Sequence, residues 1–466
     1  MPGSRQHPTR HSTALGRGGL RFGHNGTVMH HAIPSSPVSS PLAAEYAAIA
    51  RGDHASGSRG TIRFAVSTDD TTEGKGDLFV ALGLARALLA EGWGVDLWPI
   101  HRWAEDVPED TAVLVSMIES FVPGLVPART ATVAWVRNWT AQWASAPYTA
   151  GFDAVWTSSS IARDALARVV DVPVEVVPIG VDLDLFTTDA DGTTPPRTDR
   201  TVTTVNFWGA RRGVQDVLQQ VAPPEPIVWF AANVEHVDAA PGVELRPAVS
   251  YFALPAVYRA AAFVVDDVIE PAAAFGTLNS RLYESLACGA LPVTSCALGL
   301  DELGLADVPV FTDALSLERA IAMPTAERDA LVARLRAVVL ARHSYTARAE
   351  QVGPSLDAAI ARAAARTGTG DPVLRWAAQQ REVLRATEQE RDVHRAGVED
   401  INRRLIVSEE AVAVLDRARK DAERAQHDAE AERDAIATRY DALTHSAEFR
   451  VLDRLGGVAR ALRRRA

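Results

Sequence analysis

The chain has 466 residues, enough for two folding units and an extension, because single hydrophobic cores stop growing well before this length. Its hydrophobic share of 47% is that of a globular protein, and no long apolar run is free of charge, so no membrane-spanning helix is expected. A formal charge of −11 argues against nucleic acid as the main partner, and two cysteines, Cys288 and Cys296, are too few for a disulfide framework and suit a reducing, cytoplasmic setting.

Residues 1–59 are rich in Ser, Pro, Gly, Arg and His and lack apolar periodicity, so a disordered tail is expected. They contain no apolar core of a secretory signal, and Met29 offers an alternative start. His7, His11, His24, His30 and His31 lack metal-ligand spacing, and no metal is expected.

Residues 60–190 alternate strands (62–67, 95–99, 111–117, 132–136, 153–157, 174–178) with helices (78–90, 161–169). This pattern calls for a parallel sheet covered by helices on both faces. A Gly, Thr and Pro cluster makes 191–200 a linker. A second alternation occupies 201–345, with strands at 202–208, 226–231, 243–247, 262–268, 291–295 and 308–311. The fold class expected is therefore α/β, with two doubly wound Rossmann-like domains facing across a cleft. Closing helices follow at 346–370.

In 371–446, Val398, Ile401, Leu405, Ser408, Val412, Leu415, Ala418, Ala422, Ala425, Ala429, Glu432 and Ile436 recur at three-and-four spacing among charged residues. This predicts a long helix that forms a homo-oligomeric coiled coil, the alternative being a solvated single helix. Residues 447–466 interleave Phe449, Leu452, Leu455, Val458 and Leu462 with arginines. Such a basic amphipathic end can lie on an anionic membrane surface, here the inner face of the membrane, or can simply end the helix in solvent.

Ligands of open α/β sheets sit outside the carboxyl ends of the strands, so the chemistry is sought there. The first strand runs into Asp69-Asp70-Thr71-Thr72-Glu73-Gly74-Lys75-Gly76-Asp77. Gly74 and Gly76 let backbone amides approach a phosphate or hydroxyl; a plain turn with Asp77 as helix cap is the competing reading. Glu119 and Ser120 follow the third strand, where they could meet an acceptor hydroxyl, and Arg137 and Asn138 follow the fourth. In the second unit Gly209-Ala210-Arg211-Arg212-Gly213 places guanidinium forks near a helix start, suited to phosphate oxygens. Glu270-Pro271 ends the strand 262–268, and Asn279-Ser280-Arg281 opens the helix that carries Glu284 and Cys288-Gly289. Cys288 reads as a small buried helix residue.

The segment Asn279-Ser280-Arg281-Leu282-Tyr283-Glu284-Ser285-Leu286-Ala287-Cys288-Gly289-Ala290, with Glu270-Pro271 upstream, resembles the donor site of GT-B glycosyltransferases of family 4. It is most similar to the CgeB-like group, which lacks a close first glutamate. The resemblance covers roughly residues 61–339. It implies transfer of a sugar from a nucleotide-diphosphate sugar to a glycan, a lipid-linked acceptor or another hydroxyl, with retention of configuration, in surface polysaccharide or glycoconjugate synthesis. No cofactor is implied beyond the donor substrate.

In that reading Glu284 accepts the ribose hydroxyls. Asn279, Ser280, Arg211, Gly209, Gly74 and Gly76 hold the donor, while Arg212, Arg281, Glu270 and Arg137 serve catalysis without metal. The regular Glu-x7-Glu motif would put its first glutamate at Gly276, and the family's histidine after the fourth strand is absent. A sugar-nucleotide epimerase on the same fold and a non-catalytic coiled-coil organiser are the alternatives.

Overall fold

Short runs rich in β-branched and aromatic residues form the strands, most of them buried on both faces. In the first unit these are β1 (Thr61–Val66), β2 (Gly94–Pro99), β3 (Thr111–Ser116), β4 (Ala131–Val136), β5 (Ala154–Thr157) and β6 (Val174–Val176). In the second they are β7 (Thr201–Thr203), β8 (Ile227–Ala231), β9 (Val243–Pro247), β10 (Phe263–Asp266) and β11 (Leu291–Thr294). The edge strands β6 and β9 are only partly covered. The computed structural model describes residues 41–188, 200–205, 213–232, 240–367 and 371–447, with 450, 451, 454–456 and 460.

Every strand pairing is parallel, in the orders β2-β1-β3-β4-β5-β6 and β11-β10-β7-β8-β9. Strand order reverses beside β1 in the first sheet and between β7 and β10 in the second. Crevices at the carboxyl ends of those strands are the expected ligand positions.

The helices are α1 (Pro41–Ala50), α2 (Gly76–Ala90), α3 (Thr140–Ser145), α4 (Ser160–Leu166), α5 (Gly213–Leu218), α6 (Leu254–Ala260), α7 (Glu270–Ala273), α8 (Ser280–Ala287), α9 (Ala314–Ile321), α10 (Thr325–Arg342), α11 (Tyr345–Ala364) and α12 (Pro372–Thr444).

Two elements depart from expectation. The stretch expected to be disordered contains α1, whose Tyr46 and Ile49 are fully buried and whose Tyr46 hydroxyl donates to Asp182 at 2.7 Å. Its short i, i+3 apolar spacing was masked by the composition around it. The strand expected at 308–311 is reduced to one bridge between Thr294 and Val310. The helices α10 and α11 are separated by a break at His343 and Ser344, where Val181 and the chain at 343–345 exchange backbone hydrogen bonds of 2.8 and 3.1 Å.

That break sends α11 back across the first unit. Arg348 Nε donates to the Pro178 carbonyl at 2.7 Å, and Trp156 Nε1 donates to Ser355 Oγ at 3.0 Å. Tyr345 lies so close to Gly83 of α2 that an added Cβ there would meet its ring at 2.2 Å. Aromatic contacts join the units on another side: Phe79 of α2 stacks on Tyr251 at 3.9 Å, and Tyr46 meets Phe252 edge-on at 5.5 Å.

The 73 residues of α12 make a rod of about 110 Å. Its first turns dock on the first unit, where Ala378 packs with Val122 and Leu125, and Arg375 pairs with Asp106 at 2.8 Å. Farther along, Val398, Ile401, Leu405, Val412 and Leu415 are exposed. Among the described residues no helix is long and apolar enough to cross a membrane. Most of the basic C-terminal end lies outside them, as do residues 1–40 with their histidines and the linker residues 189–199.

Candidate functional site

A cleft of about 1010 Å³ lies where the carboxyl ends of the two sheets meet, lined from both units. From the first come Gly74, Gly76, Arg137, Asn138 and Trp139; from the second come Gly213, Asp267, Glu270, Pro271, Asn279, Ser280 and Arg281. Of the sequence candidates, six are thereby brought together with the glycine loop. Glu119 and Ser120 do not line the cleft, and the Glu119 carbonyl instead accepts from the Tyr148 hydroxyl at 2.7 Å. Gly209, Arg211 and Arg212 lie outside the described residues.

The glycine loop is shaped by its own carboxylates. Asp70 accepts from the Thr72 amide at 2.8 Å, closing a short turn, and Gly74 leaves it in the left-handed conformation at φ 66°. Asp77 does not cap α2, the alternative considered for it. It accepts from the amide and hydroxyl of Ser67 at 2.7 and 2.9 Å, tying the helix to the end of β1. Nothing stands within 4 Å of the positions a Cβ would take on Gly74 or Gly76, so the loop's backbone faces open space.

Arg137, at the end of β4, is half-buried, and among the described residues its one hydrogen bond is from Nη2 to the Met117 carbonyl at 3.4 Å. Its Nε has no partner, and among the described residues no carboxylate pairs with it. Burial pulls its pKa down, only partly opposed by Asp77, Tyr345 and Glu119 at longer range. An arginine nevertheless remains a cation, so the cleft holds a positive charge with no ion-pair partner among the described residues.

Asp266, fully buried at the end of β10, organises the opposite wall. It accepts from Arg281 Nη1 at 2.5 Å, Asn279 Nδ2 at 2.8 Å and Thr294 Oγ1 at 3.3 Å. Arg281 also donates from Nε to Thr204 Oγ1 at 2.9 Å and from Nη2 to the Thr204 carbonyl at 3.3 Å. Burial lowers the Arg281 pKa, but Asp266, with Tyr258 and Glu284, reverses this and the net shift is upward.

The expectation of an Arg281 fork directed at phosphate is corrected in this respect. The guanidinium lines the cleft, yet its donors are turned onto Asp266 and Thr204, because a fully buried carboxylate requires a cation and hydrogen bonds. Asn279 is likewise turned toward β10, donating to Asp266 and to the Asp267 carbonyl.

Glu284 lies behind Ser280 and Arg281 on the same helix. Its side chain is 4% exposed and is absent from the cleft wall. Burial pushes its carboxyl up to about 7, with Asp266 adding to the shift and with Arg281 and a Ser280 hydrogen bond opposing it. Sequence alone marked the residue but could not show that its helix turns it into the core.

Glu270 begins α7 and is exposed on the cleft wall. Gly276, where a regular Glu-x7-Glu motif would place a glutamate, has φ 66°, and a Cβ there would come within 3.3 Å of Leu298 and Gly299. This backbone cannot take a glutamate without rearranging.

Asp266 and Trp139 were not selected from the sequence. The signal for Asp266 was a pair of acids ending an otherwise apolar strand; nothing in the sequence marked Trp139. Among the described residues, no three His, Cys, Asp or Glu side chains converge as a metal site.

Residues 200–353 match the glycosyl transferase-like family model. The match takes in β7 through β11 and the helices that follow, including the Asp266, Arg281 and Glu284 cluster. Of solved structures, a sucrose-phosphate synthase from Thermosynechococcus elongatus is similar at a TM-score of 0.51 and 16% identity, over 65% of this chain and 99% of that chain. Trehalose-6-phosphate synthase OtsA follows at 0.47 and 11%, over 64% of this chain and 98% of that one. AviGT4, a glycosyltransferase involved in avilamycin A biosynthesis, follows at 0.46 and 15%, over 64% and 98%. No curated protein matches the chain. The fold is GT-B, two parallel-sheet α/β domains meeting at a cleft, with a long C-terminal helix added.

Proposed function

We propose that the protein is a glycosyltransferase that moves a sugar from a nucleoside diphosphate sugar to a hydroxyl of a saccharide or other acceptor. The observation that carries this reading is Arg137, a half-buried guanidinium without an ion-pair partner among the described residues, in a cleft of about 1010 Å³ between the glycine loop and the start of α8. A cation held away from bulk water is costly unless an anion meets it, and a sugar diphosphate supplies one. The glycosyl transferase-like match of residues 200–353 supports the same class.

In the reaction the acceptor oxygen forms a bond to the anomeric carbon while the bond from that carbon to the diphosphate oxygen breaks. The bonding pair leaves with the nucleoside diphosphate, whose developing charge is met by Arg137 and by Arg211 or Arg212. The acceptor proton passes to the departing phosphate or to Glu270. Arginines can carry the charge that metal ions neutralise elsewhere, so the transfer is read as metal-independent, and the family resemblance points to retention.

Arg281 and Asp266 then act by holding Asn279 and the α8 start in place. The tight backbone at Gly276 supports the CgeB-like variant of the site, without the close glutamate.

The exposed apolar residues of α12 support self-association through a coiled coil, with a cytoplasmic protein able to touch the membrane's inner face through its basic end.

The test is a thermal-stability screen against UDP-, GDP-, ADP- and dTDP-sugars, followed by assay of nucleoside diphosphate release with saccharide acceptors. Stabilisation by one class, with acceptor-dependent release, is expected. Absence of both overturns the proposal, and a change of donor configuration without glycoside formation would favour epimerisation.

A further inference from the structure

Among the described tryptophans only Trp139 and Trp376 are exposed, and Trp139 is the one on the cleft wall. It is also the only described non-glycine residue with positive φ, at φ 58° and ψ 36°, just before α3. A bulky side chain in the left-handed region is strained, and glycine or asparagine would relax it. The residue is 38% exposed, and no ring stack or cation contact involves its indole among the described residues.

Trp139 lines the cleft two positions after Arg137, and an indole there offers a flat apolar face. A pyranose ring fits such a face, because its axial C–H groups form an apolar, weakly positive surface against the negative π face, while its hydroxyls stay at the wet rim. The residue belongs to the first unit, and α3, which it precedes, contacts α7, which Glu270 begins. Arg137, two positions earlier, meets the leaving diphosphate in the proposed reaction, so a ring held at Trp139 lies at the point of transfer rather than at the donor's nucleotide end.

We propose that Trp139 is the stacking platform for an acceptor sugar, which makes the acceptor a saccharide. This rests on the transferase reading for the word acceptor but not for the contact itself.

The experiment uses the full chain, as wild type, Trp139→Phe and Trp139→Gly, with a panel of methyl hexopyranosides as probes. Saturation-transfer NMR is recorded with and without the sugar nucleotide that best stabilises the protein. Wild type is expected to bind at least one glycoside, with ring-current shifts on one sugar face. Trp139→Phe should retain binding, and Trp139→Gly should weaken it about tenfold or more.

The melting temperature of Trp139→Gly is expected to equal or exceed that of wild type, since glycine relaxes the backbone. Unchanged binding by Trp139→Gly, a lowered melting temperature that marks the indole as a packing element, or no glycoside bound by wild type would each overturn the proposal. Glycoside contact at Trp139 with no stabilising sugar nucleotide would instead sink the donor reading and leave the platform standing.

Discussion

Replacing Glu284 with glutamine tests whether the buried carboxyl behind the cleft carries a stability cost at neutral pH. Its carboxyl stands at about 7 against an ordinary value of 4.5, raised first by burial. Between these values the folded protein holds a proton that the unfolded chain has released. Stability from this group is therefore greatest below about pH 4.5 and is lost as pH rises through about 7. The difference corresponds to roughly 3 kcal/mol at full extent, an order-of-magnitude figure for a group that is 4% exposed.

Glu284→Gln keeps the shape and a hydrogen-bonding oxygen near Ser280 but cannot ionise. Relative to wild type, the variant should gain about 2–3 kcal/mol between roughly pH 5 and pH 8. Paired denaturation curves at several pH values, compared as the difference between the two proteins, read this directly. A variant less stable than wild type near pH 8 would refute the reasoning, because the ionised carboxylate would then be a net stabiliser through Arg281. Should a donor ribose reach Glu284 after all, its hydroxyls would favour the carboxylate, and donor affinity would rise with pH through about 7.

Arg137→Met removes the cation without an ion-pair partner. The sugar-nucleotide-induced melting shift should shrink to match a loss of about tenfold or more in affinity, while the ligand-free protein melts no lower than wild type. A full-sized ligand shift in the variant would remove Arg137 from the site. Gly276→Glu would restore the regular motif on paper, but the φ of 66° and the packing against Leu298 and Gly299 predict a lower melting temperature and no gain in turnover, measured by nucleoside diphosphate release. Leu405→Glu with Leu415→Glu, on the exposed stripe of α12, should convert an associating protein to monomer in sedimentation and leave turnover unchanged. A monomeric wild type would count against the coiled coil.

The two alternations of strand and helix, and the length of α12, were legible because apolar runs and three-and-four spacing are local properties of the chain. The glycine loop, Arg137, Glu270 and the Asn279 to Glu284 helix were legible as positions, since residues at the ends of parallel strands must face the crevice. What sequence could not decide is where each side chain turns. Arg281 is drawn onto Asp266 because a fully buried carboxylate needs a cation, and Glu284 on the same helix is buried beside Ser280 and Arg281. The return of α11 onto the first unit, the burial of Tyr46 of α1 and the strained backbone of Trp139 likewise follow from contacts between distant segments. Local pattern determined which residues reach the strand ends. Long-range packing and the need to satisfy buried charge determined which of them face the ligand.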